Sequence, residues 1–409
     1  MPQDTVTKPP ITRRYRTLLA ARDKPPGLES PPGAEGLESA AGPTSGSVDL
    51  SDPAIDERVQ TTKASLYDIV KNHLGDRPEL YEIADKIVSD GGEALRVLRG
   101  EDDEDLAERG DVLGSLEAIV RTDGSRPSFM VRNGEVDLTT SPAGTWTNDI
   151  QLSVDQLQDA FDCIGRIDVP GSAQGFQGTG FLVHENLIIT NRHVLQVTAD
   201  YQSGGSWKVK PGAAIDFGHE FNARESLNRR LLRRVVFAGR DPIRDDEIDH
   251  KKLDLALFEL EPAEAAARPR TVLGIEGSAD WAKPNKKMYI AGYPGSPSAG
   301  LAPLTLLEVL FQSTFGHKRL APGLLIPSQA NVHTWTIAHD ATTLGGNSGS
   351  VVLRIDHEQI AAGLHYGGRW SDPRENWGHV LGLVLDSPDK SGKTLRAYLN
   401  DFDVQPIGQ

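Results

Sequence analysis

At 409 residues the chain exceeds what one growing core accommodates, so two domains plus unpacked sequence are expected. A formal net charge of -15 argues against nucleic acid as the main partner, because phosphate binding draws its affinity from Lys and Arg. The single cysteine, Cys163, excludes an internal disulfide, and no apolar run is long enough to cross a bilayer or to serve as a leader, so a cytoplasmic protein without a membrane partner is the expectation.

Residues 1–53 are rich in Pro, Gly, Ser and Ala (PPGLESPPGAEGLESAAGPTSGS) and read as a disordered tail. Its TRRYRTLLAAR segment could dock on a partner, with a plain tether as the simpler reading. Over 54–122 apolar residues fall three and four apart in SLYDIVKNHL and PELYEIADKIVSDGGEALRVL, which predicts a small helical module. Gly91 and Gly92 are expected to split the second stretch into two helices, and SLEAIV from Ser115 to add another. The module holds no cluster of catalytic residue types, so recruitment of a protein partner or regulation is its expected task.

Residues 123–150 form a connector in which Asn133-Gly134, between alternating segments, predicts a β-hairpin because both turn positions need positive φ. The amphipathic VDQLQDAF leads on. From 151 to 405 short β-like runs follow one another: CIGRIDV, GTGFLVHENLIITN, DLALFELE, KMYIAGYPG, LLEVLFQSTF, HTWTIAH, GSVVLRI, QIAAGLHYGG and HVLGLVLD, then a helical tail at KTLRAYLND. This density of strands predicts an all-β, closed or nearly closed antiparallel domain. The basic RESLNRRLLRR, Arg224 to Arg234, sits among acidic neighbours and reads as a solvated face.

Three stretches carry chemistry together. ITNRHV sets His193 after an apolar strand, LDLALFEL sets Asp254 at the entrance of another, and GGNSGS sets Ser348 in a glycine-rich turn. Acyl transfer needs a hydroxyl nucleophile, an imidazole to take its proton and a carboxylate to hold the imidazole tautomer, and these are the candidates. The amides of Gly346 and Ser348 are the candidate donors to a developing oxyanion, and a side chain at Gly346 is expected to obstruct the substrate. No His, Cys and carboxylate cluster shows metal-ligand spacing, so neither metal nor cofactor is expected.

With TGFLV, TNRHV, GYPG, GGNSGS and HYGG in this order, residues from about 160 to 405 resemble a chymotrypsin-fold, trypsin-like serine peptidase, closest in vocabulary to the bacterial glutamyl endopeptidases. The resemblance implies a double β-barrel with the site between the barrels, preceded by the helical module, and an endopeptidase acting on a protein or peptide substrate. It also implies that Thr343, His365 and Gly367 line the substrate pocket. A hydroxyl and an imidazole there suit Glu or Gln before the scissile bond, with glutamate slightly ahead; protonated His365 would favour glutamate, whereas neutral imidazole would serve glutamine as well. Bacterial peptidases of this kind are often fused to adaptor modules, which implies a regulated effector. The competing expectation is a latent or inactive peptidase-fold scaffold that acts through its helical module. LEVLFQS, residues 307–313, resembles the sequence cut by picornaviral proteases, and reads first as a native strand with accidental similarity or an engineered site, with self-cleavage after Gln312 as the less favoured alternative.

Overall fold

The computed structural model describes residues 48–73, 76–100, 124–141, 143–203, 205–221, 228–244, 248–263, 271–296, 314–328, 335–354, 360–369 and 375–408, with Tyr15, Arg16, Leu19, Ser115, Leu116, Ile119, Val120 and Thr122 besides. The LEVLFQS segment and most of the stretch read as a tail lie outside them. The chain divides into two compact units, one of Met1–Ser128, Leu138–Leu152 and Pro303–Ser313, the other of Phe129–Asp137, Ser153–Ala302 and Thr314–Gln409.

In the first unit, helices α1 (Asp52–His73) and α2 (Pro78–Gly100) pack together. Proline opens α2, where its missing N–H costs nothing. Gly91 and Gly92 do not divide that helix; it runs straight through them. They are buried because other helical residues come too close for a side chain. A Cβ on Gly91 would stand 2.4 Å from Ile119 Cδ1, and one on Gly92 3.2 Å from Val59 Cγ2. Close helix approach therefore offsets the lower helix propensity of glycine. Ser115, Leu116, Ile119 and Val120 are helical, as expected from SLEAIV. The core joins Leu50, Ile55, Ala94, Leu95, Leu98, Leu116, Ile119 and Val120 with Tyr15 and Leu19, which come from the stretch read as tail. Arg58 seals that contact by donating to the Leu19 carbonyl at 3.0 Å. A short helix, α3 (Trp146–Leu152), buries Trp146, whose indole N–H donates to the Ser125 carbonyl at 3.1 Å.

The second unit begins with a hairpin, β1 (Phe129–Arg132) and β2 (Glu135–Asp137), turned by Asn133 and Gly134 at φ 54° and 77° as the Asn-Gly pair requires. Helix α4 (Val154–Asp162) follows. Six antiparallel strands then close a first barrel: β3 (Ile164–Asp168), β4 (Phe176–His184), β5 (Leu187–Thr190), β8 (Ala214–Asp216), β9 (Arg229–Ala238) and β10 (Ala256–Leu260), in the order β10-β5-β4-β3-β8-β9. Between β5 and β8 lie the short helix α5 (Arg192–Thr198) and a two-stranded ribbon, β6 (Ala199–Tyr201) with β7 (Trp207–Val209).

Strand β9 was not evident as a strand, since arginines mask its alternation. Arg230 turns inward to the carbonyls of Glu185 and Glu261, while Arg233 and Arg234 each pair with Glu259 at 2.6 Å. From Arg229 onward the basic run is a strand whose exposed Arg233 and Arg234 share Glu259.

A second ring contains β12 (Lys287–Gly292), β13 (Arg319–Ile326), β14 (Thr336–His339), β15 (Val351–Arg354), β16 (Ile360–Arg369) and β17 (Glu375–Val380). It runs β12-β15-β16-β17-β14-β13, and the β12–β13 pairing closes it. β11 (Gly274–Ile275) joins β16 in parallel, and the β1–β2 hairpin adds to β13. HVLGLVLD is split: His379 and Val380 end β17, and Leu381–Val384 forms helix α6. The C-terminal helix α7 (Leu395–Asn400) is capped by the Thr394 hydroxyl, which accepts from the Ala397 amide. The expected double barrel is thus present.

The hairpin read as a connector is fastened to this unit by a buried cation. Lys318 donates to the carbonyls of Phe161 and Phe217 at 2.7 and 2.8 Å and pairs with Glu220 at 3.2 Å, and Glu220 also accepts the Gly134 amide at 3.0 Å. Three acceptors compensate the desolvated ammonium.

Gly91→Leu is expected to lower the stability of the helical unit by about 1–3 kcal/mol through overpacking against Ile119. Urea unfolding of the full chain followed by far-ultraviolet circular dichroism checks this; an unchanged helical transition would contradict the packing role.

Candidate active site

The apolar run LIIT makes β5, buried along its whole length, and the chain then turns into α5, which carries His193. The Asn191 side chain donates to the Asp254 carbonyl at 2.8 Å, tying the start of α5 to the segment that enters β10. Asp254 meets His193 twice, accepting its backbone amide at 2.9 Å and pairing with ring Nδ1 at 2.6 Å. A carboxylate only accepts, so Nδ1 carries a proton and Nε2 is left as the basic nitrogen. Burial alone would push the Asp254 carboxyl up. The charge and hydrogen bonds of His193, with a smaller contribution from His379, outweigh it and hold the group below the ordinary carboxylate value.

Ser348 lies in a turn whose carbonyls are all spoken for. The Gly345 carbonyl accepts from Gly295 N–H at 2.5 Å, and the Asn347 carbonyl accepts from Ser350 N–H at 2.8 Å. In a trans peptide the N–H points away from the C=O, so the amides of Gly346 and Ser348 are turned to the opposite side. Neither amide has an acceptor among the described residues. Asn347 closes the turn, its side-chain oxygen accepting from the Ser350 hydroxyl at 3.2 Å.

Gly346 has φ 91°, and a Cβ there would stand 2.6 Å from the Tyr293 carbonyl and 2.7 Å from Gly295 N. The need for glycine is thus set by the protein's own backbone.

The turn is brought beside α5. The Ser348 carbonyl accepts from Thr179 N–H at 2.8 Å, and a Cβ on Gly178 would stand 2.8 Å from both that carbonyl oxygen and a Val194 methyl. His365 lies on the other side of the turn, its carbonyl accepting from Gly349 N–H and its amide donating to Ser350 O, both at 2.9 Å. Past this point β15 no longer pairs with β16, so Gly367, paired on its other side with Trp377, lies where the β15 side is open. Thr343 is buried in the segment leading into the turn.

The His365 ring is buried and its Nδ1 is 3.1 Å from Nε2 of His339, itself fully buried. Burial first, then His339 and His193, hold His365 well below the ordinary histidine value, so the ring is neutral at pH 7. Sequence reasoning missed His339 and His379. His339 ends β14 and His379 lies one residue before the end of β17, and nothing but the fold shows what either faces.

A curated protein from Lysobacter enzymogenes, called a probable serine protease, is 32% identical over 278 residues, 62% of this chain and 70% of its own length. A sequence model described as a trypsin-like peptidase domain matches residues 178–361. The chain belongs to the trypsin-like peptidases. This peptidase is accordingly a hydrolase of peptide bonds of the serine type. Solved structures similar to the peptidase include a Glu endopeptidase (18% identity, 60% of this chain and 92% of the other, TM-score 0.39). Human heparin binding protein is another (14% identity, 61% and 96%, TM-score 0.40). Among the described residues no helix is long and apolar enough to cross a membrane.

The buried histidines give a pH dependence of stability. His379 is pushed down to about 4 by burial, and His365 lies well below its ordinary 6.5. An unfolded chain binds these protons from about pH 6.5 downward while the folded chain refuses them. Stability should therefore fall as pH drops from 6.5 toward 4, approaching about 1.4 kcal/mol per pH unit for each buried histidine. The depressed Asp254 acts in a separate window, below its ordinary 3.8. Urea midpoints at pH 7 and pH 5 test this, with a flatter slope expected for His379→Gln.

Proposed function

We propose that this peptidase is an endopeptidase that works through an acyl-enzyme on Ser348. The Ser348 hydroxyl attacks the scissile carbonyl carbon as His193 Nε2 takes its proton, and Asp254 stabilises the imidazolium that forms. The carbonyl oxygen becomes an oxyanion between the Gly346 and Ser348 amides. As the C–N bond breaks, His193 returns the proton to the leaving amine; a water deprotonated by the same imidazole then hydrolyses the ester. The observation that carries this reading is the pair of amides without acceptors beside a His–Asp pair at 2.6 Å. Donors already turned outward cost no reorganisation in the transition state, which also weighs against a latent scaffold with a crooked turn.

For specificity we assign the pocket to Thr343, His365 and Gly367, with Gln or Glu before the scissile bond. A neutral His365 offers a hydrogen bond without a countercharge, which supports glutamine over glutamate near pH 7 and reverses the order expected from sequence. Gly367, where β15 no longer pairs, suits antiparallel pairing with the residues before the scissile bond. The helical unit, with its own core, supports a recruiting or regulatory role around this activity.

Ser348→Ala should abolish fluorophosphonate labelling and lower kcat on the order of 10⁶-fold. Labelling that persists in Ser348→Ala would remove Ser348 from the mechanism. On a peptide library, wild type should cut after Gln at least as well as after Glu at pH 7, with His365→Ala losing roughly tenfold in kcat/KM for Gln. A preference for Arg or large apolar residues would overturn the pocket.

A further inference from the structure

Asp254 is gripped at its backbone as well as at its carboxylate. Its amide donates to Nε2 of His379 at 3.0 Å, and both residues are buried. His379 lies in β17 beneath Tyr366 of β16, whose ring stacks on it with centroids 4.4 Å apart and planes 24° apart. The Tyr366 hydroxyl is 2.6 Å from Nδ1 of His250, which precedes Asp254 on the same segment. Two strands of the second barrel thus hold the 250–254 segment of the first at two points.

The choice of histidine here is chemically odd unless the acceptor matters. To accept an amide proton, Nε2 must keep its lone pair, so the neutral ring bears its proton on Nδ1. That Nδ1 is buried and has no hydrogen-bond partner among the described residues. A buried donor left unmet is a cost that Leu or Phe would avoid, whereas either would orphan the Asp254 amide.

We propose that His379 is a positioning residue for the reaction, holding the Asp254 backbone so that the first barrel presents His193 to Ser348 of the second at the reactive distance. This rests on the roles assigned above to His193, Asp254 and Ser348. A shift at Asp254 passes directly to His193 through the bonds from its ring and its amide. Attack by the hydroxyl is sensitive to such a shift, because a misplacement of about 1 Å can cost 10²-fold.

The test compares kcat and KM of full-length wild type, His379→Gln, His379→Asn and His379→Leu, with Asp254→Ala as reference. The Gln side-chain oxygen reaches as far as Nε2; that of Asn stops at the position of Nδ1. Leu and Asn should lower kcat by about 10- to 100-fold with KM within about twofold, and Gln should restore most of the loss. Wild-type kcat in folded Leu and Asn variants overturns the proposal, as does a Gln variant as impaired as Asn. If Leu does not fold, the Gln and Asn pair decides alone. Full activity of Asp254→Ala would instead overturn the role of Asp254 itself, so the two failures are distinguishable.

Discussion

The hydrogen bonds of one buried threonine hold the Ser348 turn against the first barrel. Thr179, fully buried in β4, donates its amide to the Ser348 carbonyl and its hydroxyl to the Gly346 carbonyl, accepts Tyr293 N–H at that hydroxyl, and accepts the Thr190 hydroxyl at its own carbonyl. The bonds to Ser348, Gly346 and Tyr293 would be lost if the barrels slid apart, and each buried group so orphaned would cost about 1–3 kcal/mol, while the Thr190 hydroxyl braces Thr179 from within the first barrel. The turn's outward-facing amides therefore inherit the rigidity of two closed sheets rather than of a loop. A closed barrel has no free edge along which its strands could slip, which makes the shared seam a fixed reference for both halves.

Around that seam the electrostatics are set by burial. Asp254 keeps its charge in a desolvated place because it meets His193 at ring and amide, whereas burial holds His365 and His379 low, Asp254 offsetting only part of it at His379. One anion among neutral imidazoles is an arrangement suited to stabilising a transient cation on His193. It also leaves the buried His365 ring uncharged.

The helical unit follows different packing rules. Its helices approach closely enough that Gly91 and Gly92 serve as seats for Ile119 and Val59, and Tyr15 with Leu19 fills the remaining apolar surface. Its described core is wholly apolar.

The order of His193, Asp254 and Ser348, the Asn133-Gly134 hairpin and most strands of the barrels could be read from the sequence, because local chemistry writes itself there: glycines at positive φ, an apolar run before a polar catalytic type, a period of two. Strand β9 and the continuity of α2 could not. Arginines that turn inward to carbonyls, and glycines that admit a neighbouring helix, look locally like a solvated run and a helix break. The same limit hid His339 and His379. Sequence determined which residue types could perform acyl transfer and in what order; only the tertiary structure decided which nitrogen faces which amide, because that depends on strands brought together by barrel closure, over distances along the chain that carry no local signal.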